Sequence, residues 1–297
     1  MESADLGDAG APVSRRSSYI HGTDPEEQRR LSLLNDRLNA ASLREIGIAP
    51  GERILDLGSG LGQLTRAMAV ASGETGKALG IDFSPEQVEE AKRLARAANE
   101  EDFVEFRVGD AVSPPLREEE WGTFDVAHAR FLLEHVPDPG AVVRSMVRAV
   151  RPAGRIVLED EDHDILRLWP EPREVEAMWR AYIQTYVRLG NDPHVGRKLV
   201  SLLHGAGASP RRNNWIFFGG CSGSPHFPGL VENMIRIMEG AREEILATRL
   251  LDERAFEGAV EALRAWSERP DAGFWYGMGV AEGVRSQRGK HDGKQAE

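Results

Sequence analysis

The 297-residue chain contains one cysteine, Cys221, which excludes an internal disulfide and any multi-cysteine zinc site. Long apolar runs are also missing: no window approaches the ~20 uninterrupted apolar residues that a spanning helix requires. The first nineteen residues hold no apolar stretch of the kind that marks a secretory signal. Basic side chains are in deficit. Lys and Arg number 37 against 48 Asp and Glu, a formal net charge of −11, which argues against nucleic-acid or anionic-membrane surfaces because both need clustered cations. What remains is a globular composition, expected to give a soluble, cytoplasmic protein, monomeric or homodimeric, that acts on a small molecule.

Residues 1–18 are polar and aperiodic and read as a flexible leader, with 286–297 as a matching tail. Asp24-Pro25-Glu26-Glu27 has the form of a helix start, and Leu31, Leu34, Leu38 and Ala41 follow at helical spacing. From residue 52, short apolar segments at 52–58, 77–83, 104–110, 124–131 and 155–160 alternate with helical patterns. Ser84-Pro85-Glu86-Gln87 is a capping box that opens one helix, with Val88, Ala91, Ala95 and Ala98 as its inward face. Alternation of this kind predicts an α/β fold: a mostly parallel sheet with helices on both faces and ligands beyond the carboxyl ends of the strands.

Farther along, 215–220 and about 274–284 read as strands, while 170–189, 228–251 and 253–268 read as helices. The expected organisation is one domain over 19–285, with a cofactor-binding core at 45–162 and helical lid insertions at about 163–208 and 222–272.

The strongest local signal is Asp56-Leu57-Gly58-Ser59-Gly60-Leu61-Gly62, between a strand and a helix. Glycines there allow a tight turn and let a ligand lie against main chain. Asp82 ends the next strand, placed to accept the two hydroxyls of an adenosine ribose, with Phe83 beside it. Asp110, between Gly109 and Ala111, ends the third strand, where adenine edge contacts are expected. A dinucleotide loop runs G-x-G-x-x-G, but here the sixth position is Gln63 and the third glycine falls one residue early, at Gly62. Asp56 would also repel a pyrophosphate, whereas a sulfonium cofactor without phosphate suits an acid-lined pocket.

These segments resemble the class I S-adenosylmethionine-dependent methyltransferases, in the small-molecule group called UbiE-like or type 11. The resemblance covers roughly residues 19–162 and lies in ILDLGSGLGQLT, GIDFSPEQVEEAKR, RVGDA and FDVAHARFLLEHVPDPGAVVRSMVRAVRPAGRIVLED. It implies a Rossmann-like seven-stranded sheet with an antiparallel last strand. It also implies S-adenosyl-L-methionine as cofactor, S-adenosyl-L-homocysteine as product, and a segment at Tyr19 that closes over the methionine part.

Two other classes stay in view: an NAD(P)-dependent oxidoreductase, and a non-catalytic methyltransferase-like protein that only binds the cofactor. Arg130 and Phe131, at the end of the fourth strand, fall where the family touches cofactor or substrate; a surface salt bridge is the other reading of Arg130. His135 is either the base that takes a proton from a hydroxyl or ammonium acceptor, or a structural histidine beside the cofactor. Asp160 and Asp162, in the run Glu159-Asp160-Glu161-Asp162-His163, read as a substrate-amine site, a divalent-metal pair or a solvated strand end; with no second ligand group at a supportive spacing, no metal is expected. Trp179 and Tyr182, on a stripe with Tyr186, could line an apolar pocket or belong to a core.

Overall fold

A computed structural model describes residues 38–286. The leader, the helix start at Asp24 and Tyr19 therefore lie outside the described residues, as does the tail from 287. The chain opens with α1, described over 38–46, and continues through β1 (Arg53–Leu57), α2 (Gln63–Ser72), β2 (Lys77–Asp82), α3 (Pro85–Ala97) and β3 (Val104–Val108). There follow β4 (Phe124–Arg130), α4 (Pro139–Ala149), β5 (Val150–Glu161), β6 (Arg167–Trp169), α5 (Arg173–Leu189) and α6 (Leu199–Gly205). The last elements are β7 (Ala208–Phe217), β8 (Gly220–Cys221), α7 (Phe227–Gly240), α8 (Arg242–Ala247), α9 (Glu253–Ser267), β9 (Gly273–Trp275) and β10 (Gly277–Arg285).

Seven strands form one sheet in the order β3-β2-β1-β4-β5-β10-β7. Neighbours from β3 to β5 are parallel, and β10 runs antiparallel to both β5 and β7. The order reverses at β1, so the carboxyl ends of β1 and β4 meet at the switch point where such sheets place their ligands. Both faces are covered, as continuous apolar runs in the central strands require. One face packs Ile54, Val126, Val157 and Val280 beneath α1, α2 and α3; the other packs Leu55, Ala127, Ile156 and Leu158 beneath α4 and α6. The helix starts follow local rules: the Ser84 hydroxyl accepts from Gln87 N, and the Asp138 carboxylate from Ala141 N.

A second apolar body sits over one end of this sheet. It gathers Met178, Tyr182 and Tyr186 of α5, Phe227 and Met238 of α7, Ile245 of α8, and Phe256, Leu263 and Trp266 of α9 into its own core. A small sheet, β6-β9-β8, lies against it.

Several boundaries differ from the sequence expectations. The segment expected as one last strand divides at Tyr276. Phe274 pairs with Leu168 and Gly220 in the small sheet, while Met278 pairs with Glu161 and Ile216 in the large one. The helix expected over 228–251 breaks after Gly240, the poorest helix former in its interior. Within the insertion expected at 163–208, Val195, Leu199 and Leu203 pack on the sheet face, so only its earlier part, from Ile165 through α5, joins the upper body. Ala98 is exposed because α3 ends one residue earlier, and Leu189 is exposed because α5 turns off at Gly190, φ +79°.

Candidate functional site

The glycine loop turns at the carboxyl end of β1. Gly58 and Gly60 have φ of +73° and +53°, a left-handed geometry that side chains with a Cβ resist. The Asp82 carboxylate closes the loop by accepting from Gly60 N at 2.8 Å and from Ser84 N at 3.0 Å. Gly62 shares the left-handed geometry, with φ +73°, and has a further reason to be glycine: a Cβ there would stand 2.4 Å from the Phe106 ring, so the small residue lets α2 pack against β3. Gln63 opens α2 immediately behind it.

Phe83 presents its ring to solvent, 63% exposed, next to Asp82. The Asp110 carboxylate accepts from Val112 N, which shapes the loop after Gly109 and Ala111. Ser59 Oγ is buried with no hydrogen-bond partner, an unsatisfied polar atom within the loop itself. A glycine cradle, an acid at the end of β2, an unpaired hydroxyl and an exposed ring form a donor set that fits an adenine nucleoside.

Asp56 does not face that cradle. Its carboxylate is 3% exposed, accepts from Thr65 Oγ1 at 2.5 Å and lies 2.8 Å from His128 Nδ1. His128 Nε2 is 3.6 Å from Glu159 Oε2 on the far side. Burial alone would lower the His128 pKa, but the Asp56 and Glu159 carboxylates overcome it and hold the ring up to about 9, so it is an imidazolium at neutral pH. The reading of Asp56 as an acid facing a cationic cofactor is thereby corrected: its charge is met inside the protein.

Arg130 is spent in a similar way. Its guanidinium donates to Asn39 Oδ1 at 2.6 Å and Ser42 Oγ at 3.1 Å, latching α1 to the sheet. Phe131 follows with φ +51°, a left-handed conformation that costs a non-glycine residue roughly 1–3 kcal/mol. Its N–H donates to the Glu159 carbonyl.

A second ionisable cluster lies past the ends of β4 and β5. Asp160, fully buried, accepts from Leu133 N and Glu161 N and holds the short 3-10 turn Leu133–His135 in place. That turn carries Glu134, whose Oε2 is 2.9 Å from His163 Nε2, and His135, whose Nε2 is 3.4 Å from Glu134 Oε1. Burial pushes both Glu134 and Glu161 up to about 8, and in Glu161 the Glu134 charge adds to it. Burial and the Glu134 charge likewise raise Asp160, while burial lowers His163.

The aromatic stripe of α5 closes the cluster from above: Tyr186 and Trp179 stand 4.8 Å and 5.6 Å from the His163 ring, and Trp179 Nε1 donates to the His163 carbonyl. Tyr182 and Tyr186 are buried and hydrogen-bonded to each other, so this part of the stripe is core as well as pocket wall. Asp162 is not open to a ligand, because Arg197 grips both its oxygens at 2.5 and 2.6 Å. Among the residues that sequence reasoning missed, Glu134 and Tyr276 are prominent. Nothing local distinguishes them, since their partners lie 29 and 115 residues away.

A seven-stranded sheet with an antiparallel penultimate strand, carrying a glycine cradle and an acid at the next strand end, is the architecture that the resemblance to class I S-adenosylmethionine-dependent methyltransferases implies. Comparison with known proteins agrees: residues 48–193 match the family described as methyltransferase domain.

It is 36% identical over 159 residues to an uncharacterized 37.1 kDa protein of transposon TN4556 from Streptomyces fradiae, covering 53% of this chain and 44% of that one. It is 28% identical over 272 residues to the 27-O-demethylrifamycin SV methyltransferase of Amycolatopsis mediterranei, covering 86% of each. The chain spans about half the length of most of the other curated relatives it matches. Among solved structures, geranyl diphosphate C-methyltransferase from Streptomyces coelicolor shares the fold, with TM-score 0.53, 16% identity, and 89% and 86% of the two chains covered. No helix among the described residues is long and apolar enough to cross a membrane.

Proposed function

We propose that the protein transfers the methyl group of S-adenosyl-L-methionine to a small organic acceptor, leaving S-adenosyl-L-homocysteine. The observation that carries this reading is the glycine cradle closed by Asp82, at the same sheet edge as the ionisable turn Leu133–His135. The cofactor, when bound, supplies a methyl group already activated by a sulfonium, so the chain's own task is chiefly positioning. In this reading Asp82 accepts the ribose hydroxyls, the backbone of Gly58 and Gly60 lies along the nucleoside, and Ser59 gains a partner. Phe83 stacks against the base, which Asp110 and Ala111 border.

His135 takes the acceptor's proton on an imidazole nitrogen, steadied by Glu134 on one side and by the Tyr186 ring, 5.8 Å between centroids, on the other. Arg130 acts as the latch of α1 rather than on substrate. The names of the relatives support a small acceptor: one methylates 27-O-demethylrifamycin SV and others demethylmenaquinone. A net charge of −11 supports a free cytoplasmic small molecule over nucleic acid, handled by a monomer or homodimer.

Calorimetry with S-adenosyl-L-homocysteine, followed by turnover across hydroxyl, amine and carbon acceptors, tests the proposal. Tight binding with methylation of at least one acceptor is expected. Preferential NAD binding would overturn it, and cofactor binding without any turnover would reduce the protein to a sensor or scaffold.

A further inference from the structure

Glu134, Glu161 and His163 come from three segments, the turn after β4, the end of β5 and the turn after it. Their ligand atoms nevertheless lie within 4.8 Å of one another. His163 Nε2 is 2.9 Å from Glu134 Oε2 and 3.7 Å from Glu161 Oε2. Ligands held about 2.0–2.2 Å from a divalent ion stand roughly 3–3.5 Å from each other. These separations bracket that spacing, and small side-chain shifts would close the set around one ion.

Charge is the second, independent observation. Asp160 adds a third buried carboxylate, and among the described residues no Lys or Arg reaches any of the three. The neighbouring buried acids on the same strands all have a cationic partner: Asp56 and Glu159 have His128, and Asp162 has Arg197. A supporting shell is present too. Tyr276 donates its hydroxyl to Glu161 Oε2 at 2.9 Å, which orients that carboxylate, and His135 flanks Glu134.

We propose that Glu134, Glu161 and His163 bind one divalent transition-metal ion, with an open coordination position on the side of Glu161. Two carboxylates and an imidazole suit Zn²⁺, Mn²⁺ or Fe²⁺ better than the all-oxygen sites of Mg²⁺ and Ca²⁺. Glu161 is the most accessible of the three, 18% exposed against 4% for Glu134, so entry and the open position lie there. The other nearby histidine–carboxylate group, Asp162, Asp164 and His194, makes a contrast. Arg197 already occupies both of its acids, so it is assigned no ion.

The test uses the full-length chain, stripped with a chelator and titrated separately with Zn²⁺, Mn²⁺ and Co²⁺ salts. Calorimetry and the visible absorption of bound Co²⁺ are the readouts. One ion per chain is expected, with Glu161→Gln weakening affinity at least tenfold and Asp164→Asn leaving it unchanged. Glu161→Gln is isosteric and partly exposed, and an unchanged thermal melt of the metal-free variant confirms that it still folds. The proposal is overturned if no ion binds at millimolar concentration, if Glu161→Gln binds as tightly as the parent chain, or if Asp164→Asn abolishes binding equally. Neither cofactor nor acceptor enters the measurement, so the result stands apart from the methyl-transfer reading.

Discussion

On the same face of β5, Glu159 and Glu161 are two residues apart and meet opposite surroundings. Glu159 completes a row across three strands in which Asp56, His128 and Arg130 balance its charge, with Arg130 further tied to α1. Glu161 faces Glu134 and Asp160 with only a burial-lowered histidine and a tyrosine hydroxyl for company. The row links the switch-point strands, and its acids face an imidazolium and a guanidinium within the chain. The outer cluster gathers three carboxyl groups that no Lys or Arg reaches among the described residues, and burial raises the pKa of each, at the edge where ligands of such sheets bind. A buried acid adds rigidity when its counter-charge is built in, and becomes a recognition element when it is not.

The sharpest break of this comparison is removal of a central charge. His128→Ala should cost about 3–5 kcal/mol in urea denaturation, because it leaves two buried carboxylates facing each other. Glu161→Gln, two residues along from Glu159, should change metal-free stability by less than about 1 kcal/mol or raise it, because it removes a repulsion. Equal losses in the two variants would erase the distinction drawn between the clusters.

Asp82→Ala comes next. Losing a charged acceptor should cost S-adenosyl-L-homocysteine about 1.5–3 kcal/mol of affinity per hydrogen bond, seen by calorimetry. An unchanged dissociation constant would move the nucleoside away from β2. Arg130→Met tests the latch: about 1–2 kcal/mol of stability should be lost with the bonds to Asn39 and Ser42. Amide exchange should then rise in α1 more than in α4.

The last effect is on pH. The His128 pKa is raised in the fold, so its contribution is fully present below the unfolded value of about 6.5 and fades as pH climbs through about 9. The melting temperature should therefore fall over that window, and His128→Gln should flatten the slope. A profile with the same slope in both proteins would show that the imidazolium is not the source.

The cofactor edge was legible because its signals are local. Three glycines, the acids Asp82 and Asp110 after the second and third strands, and proline-led helix starts each need only a few neighbours to be read. The α/β alternation and the antiparallel partner near the chain's end were legible for the same reason, although the register was not. Nothing around Tyr276 announces that Trp275 will pair with Arg167 while Gly277 pairs with Phe217. The run Glu159-Asp160-Glu161-Asp162-His163 shows the limit well. Each acid of the run ends with a different partner: His128, backbone amides, Tyr276 and Arg197.

The sequence by itself determined the class of fold, the glycine turn after the first strand and the absence of an internal disulfide, since composition, periodicity and turn residues act over short distances. Tertiary structure alone decided which acids are neutralised. That outcome depends on side chains brought together across 27 to 115 residues of chain, as with Asp160 and Leu133 or Tyr276 and Glu161. The −11 surplus is uniform as a sum and uneven in space, and only the unevenness marks where a cation is wanted.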